Sequence, residues 1–389
     1  MKEHSMNICI ITEGYPTPNN PGRYVFVDQL ASTWADMGMK VSVINPIPYL
    51  VEYYDKKRFY KEKWEKHTRK ENVVSVYSPR FFRISDKKIG FIETHNISYS
   101  SFQRAVIRTI DKLQVPPDVI YSHFLPSGCH AGDIGNQMSI PSFCAFGESM
   151  LWSIQGWNTD QVKASLGKLT GMISVSTENK RILVDNGFYR EADIEVFPNG
   201  VDHSLFFQRD KQTIRKQYGF PAEAFIGSFT GSFNDEKGVL RAQEAAIRAG
   251  NTRMIYIGGG GLTPEGDNIL FRGRLEHERI PEYLCAADFF ILPTKAEGCC
   301  NAIIEAMACG LPIISANGAY NDDILSERYS IRTDPTDIDA MREAIGILQN
   351  DSHLREEMSI AAKNASKKFD ITDRARNILD FMQRKMKKG

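Results

Sequence analysis

Glu297 and Glu305 stand eight residues apart in Glu297-Gly298-Cys299-Cys300-Asn301-Ala302-Ile303-Ile304-Glu305-Ala306-Met307-Ala308-Cys309-Gly310-Leu311-Pro312. The apolar spacing after Asn301 predicts a helix that stops at Gly310 before Pro312, so the two acids bracket a loop-to-helix join. A helix N-terminus presents unpaired N–H groups and a partial positive charge, which suit an anion, while nearby carboxylates accept sugar hydroxyls. The chemistry this suggests is recognition of a sugar that carries phosphate. A Glu pair of this spacing is also what an ordinary helix start with a solvated loop would show, because first turns favour acids.

A second candidate is Lys237-Gly238, just before another expected helix. An ammonium at a helix N-terminus neutralises a diphosphate that also takes backbone N–H bonds, which is sound chemistry for a leaving group; a solvated surface lysine is the plain alternative. Gly258 to Gly261 follow a strand but lack the spacing of a dinucleotide fingerprint, so a tight turn accounts for them equally well. The seven cysteines, Cys9, Cys129, Cys144, Cys285, Cys299, Cys300 and Cys309, are odd in number and have no paired zinc spacing. They read as reduced thiols of a cytoplasmic chain, and no histidine lies near Cys299 and Cys300 to activate a nucleophile.

The elements that must hold these residues alternate. The run "NICIIT" reads as a buried strand, followed by a Gly/Pro/Asn-rich loop to Gly22, a helix from Tyr24 to Met37 and the strand "KVSVIN". The runs "PDVIYSH", "IPSFCAF" and "TGMISVS" continue as short buried strands between helical stretches, which means a doubly wound parallel sheet. After Asn199-Gly200 the plan repeats: "AFIGSFTG", a glycine loop, a helix from Val239 to Ala249, "RMIYIGG", "DFFILPT" and "LPIISA". The acid loop then sits at the carboxyl end of a parallel sheet, where open α/β folds bind ligands.

With the order in view, "ADFFILPTKAEGCCNAIIEAMACGLPIISA" resembles the E-x7-E signature of retaining family-4 glycosyltransferases. "VFPNGVDHSLF" is similar to that family's interdomain linker, and "GSFTGSFNDEKGVLRAQEA" to its donor-phosphate loop. The resemblance spans roughly Asn7 to Ile324. It implies the GT-B fold: two Rossmann-like doubly wound α/β domains facing a central cleft. Residues 1–199 would form the acceptor domain, 200–370 the nucleotide-sugar donor domain, and 371–389 a helix crossing back to the first.

The same resemblance implies that Glu297 contacts hydroxyls of the transferred sugar and that Glu305 holds the nucleotide ribose. Backbone N–H groups of Gly298, Cys299, Cys300 and Asn301 would face sugar and phosphate, and Lys237 would carry diphosphate charge without a metal. The chain departs from the family at three places. Ser232 stands where the phosphate loop usually has arginine, removing one charge. Pro21-Gly22 replaces a glycine pair in the loop that meets the donor. Phe146-Gly147-Glu148-Ser149 stands where a histidine is usual, so Glu148 or Ser149 would take over a hydroxyl contact. His123 reads equally as a strand-end or an active-site residue.

The expected activity is therefore retaining transfer from a nucleotide-diphosphate sugar to a glycan or lipid-linked acceptor, in surface polysaccharide synthesis, with no cofactor beyond the donor. Two alternatives stand beside it: a GT-B nucleotide-sugar epimerase, and a catalytically silent sugar-nucleotide-binding partner of another transferase. At 389 residues the chain is long enough for two cores, and its net charge of zero argues against bulk nucleic-acid binding. No apolar run reaches the length of a membrane span or a signal segment. The stretch Tyr49 to Lys70 carries eight Lys/Arg against four Asp/Glu, mixed with Tyr53, Tyr54, Phe59, Tyr60 and Trp64. That mixture suits peripheral contact with an anionic inner-membrane surface, or else a solvated helix whose aromatics pack inward.

Overall fold

The computed structural model describes residues 5–17, 22–49, 61–84, 88–89, 92–149 and 151–387. Two compact units result. The first contains residues up to Val175, then Asn179–Phe197 and Ala375 onward; the second contains Ser176–Glu178 and Pro198–Arg374.

An eight-stranded sheet forms the first unit, in the order Ile194–Val196, Gly171–Ser174, Ser142–Phe146, Val119–His123, Asn7–Ile11, Lys40–Ile44, Val73–Tyr77 and Lys63–His67. All neighbours are parallel except the last strand, which pairs antiparallel with Val73–Tyr77. The central strands Val119–His123 and Ser142–Phe146 are buried at every residue, and Asn7–Ile11 at all but its first, because helices cover both faces. Their period of two then splits each strand between two cores. Cys9, Ile11, Ile120, Cys144 and Phe146 enter one, with Phe102, Leu125 and Leu166, while Ile8, Ile10, Tyr121, Phe143 and Ala145 enter the other, with Leu30 and Trp34.

That second core is closed by the carboxyl-terminal part of the helix Ile371–Met386. Phe381 lies 5.9 Å from Phe143 and 6.0 Å from Phe197 between ring centres, and the Trp34 indole donates to the Ala375 carbonyl at 3.0 Å. The stretch 61–70, within the basic aromatic segment, is no helix: Lys63–His67 forms the sheet's edge strand, with Trp64 against Tyr15 and Lys66 paired with Asp28. Residues 50–60, which hold Tyr53, Tyr54, Phe59 and Tyr60, lie outside the described residues.

The second unit carries six parallel strands in the order Ile269–Gly273, Thr252–Gly259, Phe225–Ser232, Phe289–Leu292, Ile313–Ala316 and Ser330–Thr333. Numbered along the chain this is 3-2-1-4-5-6, the dinucleotide-fold order, so its switch point lies between Phe225–Ser232 and Phe289–Leu292. The Lys237 loop follows the first of these strands and the Glu297 loop follows the second. Two glycines of this unit bring the chain close to neighbouring carbonyls. Gly258 has φ +147° and its Cα faces the Gly231 carbonyl so closely that a Cβ would lie 1.9 Å from that oxygen. Gly238, at φ +75°, caps the helix Val239–Ala249, and a Cβ there would lie 2.6 Å from the Pro293 carbonyl.

Candidate active site

The helix Asn301–Ala308 begins after Cys300, whose side chain makes no cap. The N–H groups of Asn301 and Ala302 in its first turn have no intrahelical acceptor and remain available to a ligand. Asn301 adds a buried Oδ1 with no hydrogen-bond partner among the described residues. Gly298, Cys299 and Cys300 are buried immediately before it. Asn199 fixes this turn: its Nδ2 donates to the Cys299 carbonyl at 3.1 Å and its N–H to the Cys299 sulfur at 3.3 Å. Burial pushes the Cys299 thiol up to about 12 and Cys300 well above the usual thiol range, so neither is a thiolate nucleophile at neutral pH.

Lys237 and Glu297, 60 residues apart, meet here. The ammonium donates to Glu297 Oε1 at 2.8 Å and to Glu236 at 3.0 Å. Burial opposes the charge on Lys237, but the Glu297 carboxylate outweighs it and holds the lysine above its ordinary value. The loops themselves are tied together. Lys295 N–H donates to the Glu236 carbonyl at 2.8 Å, Asn234 Oδ1 accepts from Lys237 N–H at 2.9 Å, and the Tyr320 hydroxyl donates to the Thr294 carbonyl at 2.7 Å. Ser232 is exposed at the end of its strand and brings no charge to this place.

Glu305 lies one turn into its helix and is buried, rather than in the first turn. Its Oε1 is 2.9 Å from His277 Nε2, and the imidazole rests against Phe206 at 5.1 Å. His277 is the residue that spacing did not single out. In sequence, a histidine flanked by Glu276 and Glu278 looks like part of a charged surface turn.

In the first unit, Glu148 follows the strand Ser142–Phe146. Its Oε1 accepts from the Ser153 hydroxyl at 2.6 Å and from Leu125 N–H, at the start of the helix Leu125–Met138, at 3.4 Å. Burial raises its pKa against the opposing pull of the Ser153 bonds. Gly22 is exposed, two residues before Tyr24, which begins the helix Val25–Asp36 in a left-handed conformation. His123 ends its strand packed between Phe26 at 4.6 Å and Phe124 at 4.7 Å.

Comparison with known proteins follows the same division. The model of the Glycosyltransferase Family 4 matches residues 24–205, and that of the Glycosyl transferases group 1 matches residues 210–365. The chain is a family-4 glycosyltransferase. This glycosyltransferase is 26 % identical, over 87 % of its own length and 88 % of the relative's, to TuaC of Bacillus subtilis, which is assigned to teichuronic acid biosynthesis. It is 29 % identical to the lipopolysaccharide core biosynthesis mannosyltransferase LpsB of Rhizobium meliloti, over 49 % of this chain and 60 % of that one. Among solved structures, sucrose-phosphate synthase from Thermosynechococcus elongatus superposes with a TM-score of 0.78 at 17 % identity, covering 98 % of this chain and all of that one. HepE of Anabaena, solved with UDP, gives 0.72 at 16 % identity over 97 % of this chain and 100 % of its own. At such low identities these superpositions show the fold alone, which is GT-B. Among the described residues no helix is long and apolar enough to cross a membrane.

Proposed function

We propose that this glycosyltransferase moves a sugar, with retention, from a nucleotide-diphosphate sugar to a glycan or lipid-linked acceptor in the synthesis of a surface polysaccharide. The observation that carries the reading is the Lys237–Glu297 pair at the switch point of the second unit, between the starts of two helices. Each group has a distinct task. Lys237 and the N–H groups at both helix starts stabilise the departing diphosphate, a fixed arrangement of positive charge that serves without a metal ion. Glu297 accepts hydroxyls of the transferred sugar and so places its anomeric carbon. Glu305, oriented by His277, accepts the ribose hydroxyls.

Retention proceeds on one face of the sugar. The bond from the anomeric carbon to the diphosphate oxygen breaks, the bond to the acceptor oxygen forms on the same side, and the departing phosphate oxygen takes the acceptor's proton. Glu148 contacts a hydroxyl of the transferred sugar in place of the family's histidine. The polysaccharide assignment draws on what TuaC and LpsB are named for, and a nucleotide donor is in keeping with HepE structures named as complexes with UDP and UDP-glucose.

A thermal-shift screen of nucleotide sugars tests the donor, because a ligand of the native state raises its stability by mass action. With the stabilising donor and a mixed pool of acceptors, NMR of the product then gives the anomeric configuration. An inverted product, or activity abolished by a chelator and restored by a divalent ion, overturns the mechanism.

A further inference from the structure

A cavity of about 320 Å³ lies wholly within the first unit, along the carboxyl ends of its central strands. Glu13 follows the strand Asn7–Ile11, Pro46 follows Lys40–Ile44, Pro126 follows Val119–His123 and Ser153 follows Ser142–Phe146, and all four line it. The opposite wall is one face of the helix Thr94–Ile110, which contributes His95, Ser98, Tyr99 and Phe102 at successive turns. This is the end of a doubly wound sheet at which ligands bind, and the volume sits at the small end of ligand pockets, enough for a single sugar ring rather than a chain.

The wall is aromatic. Trp157 meets Tyr99 edge to face at 6.0 Å and His95 at 4.4 Å. Behind them the His130 ring is sandwiched between Tyr99 at 4.1 Å and Phe102 at 4.0 Å. His130 is 3 % exposed, lines the cavity, and its Nδ1 has no hydrogen-bond partner among the described residues. Burial pushes its pKa down to about 3, so the ring is neutral. Among the described residues that line the pocket, Arg23 and Arg83 bring guanidiniums and Glu13 a carboxylate. Arg23 is positioned by its bond to the Glu13 main-chain carbonyl at 2.7 Å.

Apolar ring faces bind the C–H face of a pyranose, and guanidiniums bind carboxylate or phosphate through paired N–H donors. We propose that this pocket takes the accepting sugar as one ring laid against Tyr99 and Trp157, and that the ring bears a carboxylate or phosphate held by Arg23 and Arg83. The assignment rests on the glycosyl-transfer reading above and gives the acceptor its chemical class.

The test measures binding to the full chain by ligand-observed NMR and calorimetry, with methyl glucuronide, glucose 6-phosphate and uncharged methyl glucoside as probes. One anionic sugar should bind at least about tenfold more tightly than methyl glucoside, the gain of a charge-assisted pair, and which one does so identifies the anion as carboxylate or phosphate. In Arg83→Ala the ratio should fall toward one, and in Trp157→Ala all three probes should lose affinity while the thermal unfolding midpoint stays near that of the wild type. Equal affinity for all three sugars, or an anionic preference that survives both Arg23→Ala and Arg83→Ala, overturns the proposal. UDP, GDP and ADP are titrated in parallel. A chain that binds a nucleotide but none of the sugars refutes the pocket alone, whereas one that binds sugars and no nucleotide refutes the transfer reading and leaves the pocket standing.

Discussion

Glu297 occupies the Lys237 ammonium at 2.8 Å, so an incoming diphosphate must share or replace that carboxylate. Lys237→Ala should therefore lower both donor affinity and turnover, and added magnesium should restore neither fully. Glu297→Gln should reduce turnover far more than nucleotide affinity, whereas Glu305→Ala should weaken the nucleotide itself. A charged hydrogen bond contributes roughly 1.5–3 kcal/mol, so each effect should fall between about tenfold and a hundredfold in the corresponding constant. Steady-state kinetics with separate nucleotide titrations distinguish them, and unchanged turnover in both acid variants would refute these roles. Glu148 gives a pH signature. Its folded pKa is raised, so the native state binds more protons than the unfolded chain between the unfolded and folded values. Stability from this group is present below the unfolded carboxylate pKa and is lost as pH rises through the folded one. Relative to wild type, Glu148→Gln should thus gain stability between pH 4 and pH 7, by on the order of 1 °C in melting midpoint, measured by scanning at both pH values. The acid pair and Lys237 were legible in sequence because glycines and helix starts mark their loops. His277 was not, because its partner lies 28 residues away and meets it only when parallel strands bring two loops together.

The loop-to-helix crossing at Gly238 is the element with least room for change. A side chain there meets both a left-handed backbone and the Pro293 carbonyl, so Gly238→Ala should destabilise the second unit by about 1–3 kcal/mol and misplace Lys237. All four tryptophans, Trp34, Trp64, Trp152 and Trp157, belong to the first unit. Urea unfolding of this variant should accordingly shift the circular-dichroism transition while leaving tryptophan emission near its wild-type midpoint; an equal shift in both would show that the crossing supports more than its own unit. The helix Val239–Ala249 was legible to the residue, since its apolar stripe runs between two glycines. The edge strand Lys63–His67 was not. An edge strand is half solvated, and here charges alternate with Trp64 and nothing marks the strand as buried, so the same residues read as a basic aromatic surface segment. Of its charges, Lys66 is engaged by Asp28. The membrane reading consequently rests on the remaining basic residues, and anionic vesicles at low salt should still co-sediment the chain, with release at high salt. Replacing Lys56, Lys57, Arg58 and Lys61 with Ser should weaken that binding without unfolding; indifference of the wild type to the vesicles would make the segment an ordinary surface and the acceptor a soluble one.

At the scale of the molecule, the first unit is built from three separated stretches of chain, with the second unit inserted before the last of them. Phe381 is 2 % exposed and completes the core around Phe143 and Phe197. Phe381→Ala should cost about 3–5 kcal/mol, seen as an earlier tryptophan transition in urea, because the cavity left behind cannot close against strands fixed by their sheet. A small or absent shift would mean that the helix is held by its ion pairs, Arg384 with Glu195 and Lys385 with Asp193, rather than by packing. Order of synthesis gives this arrangement a further meaning. A ribosome releases residues 198–374 while the earlier stretch still lacks the helix that covers Trp34 and Phe143, so the part made first is the part finished last. Until Ala375 and its successors emerge, a nascent chain that already contains every residue of the second unit still displays an open apolar face in the first, and a product stalled before that point carries the face as a standing mark for chaperones and proteases.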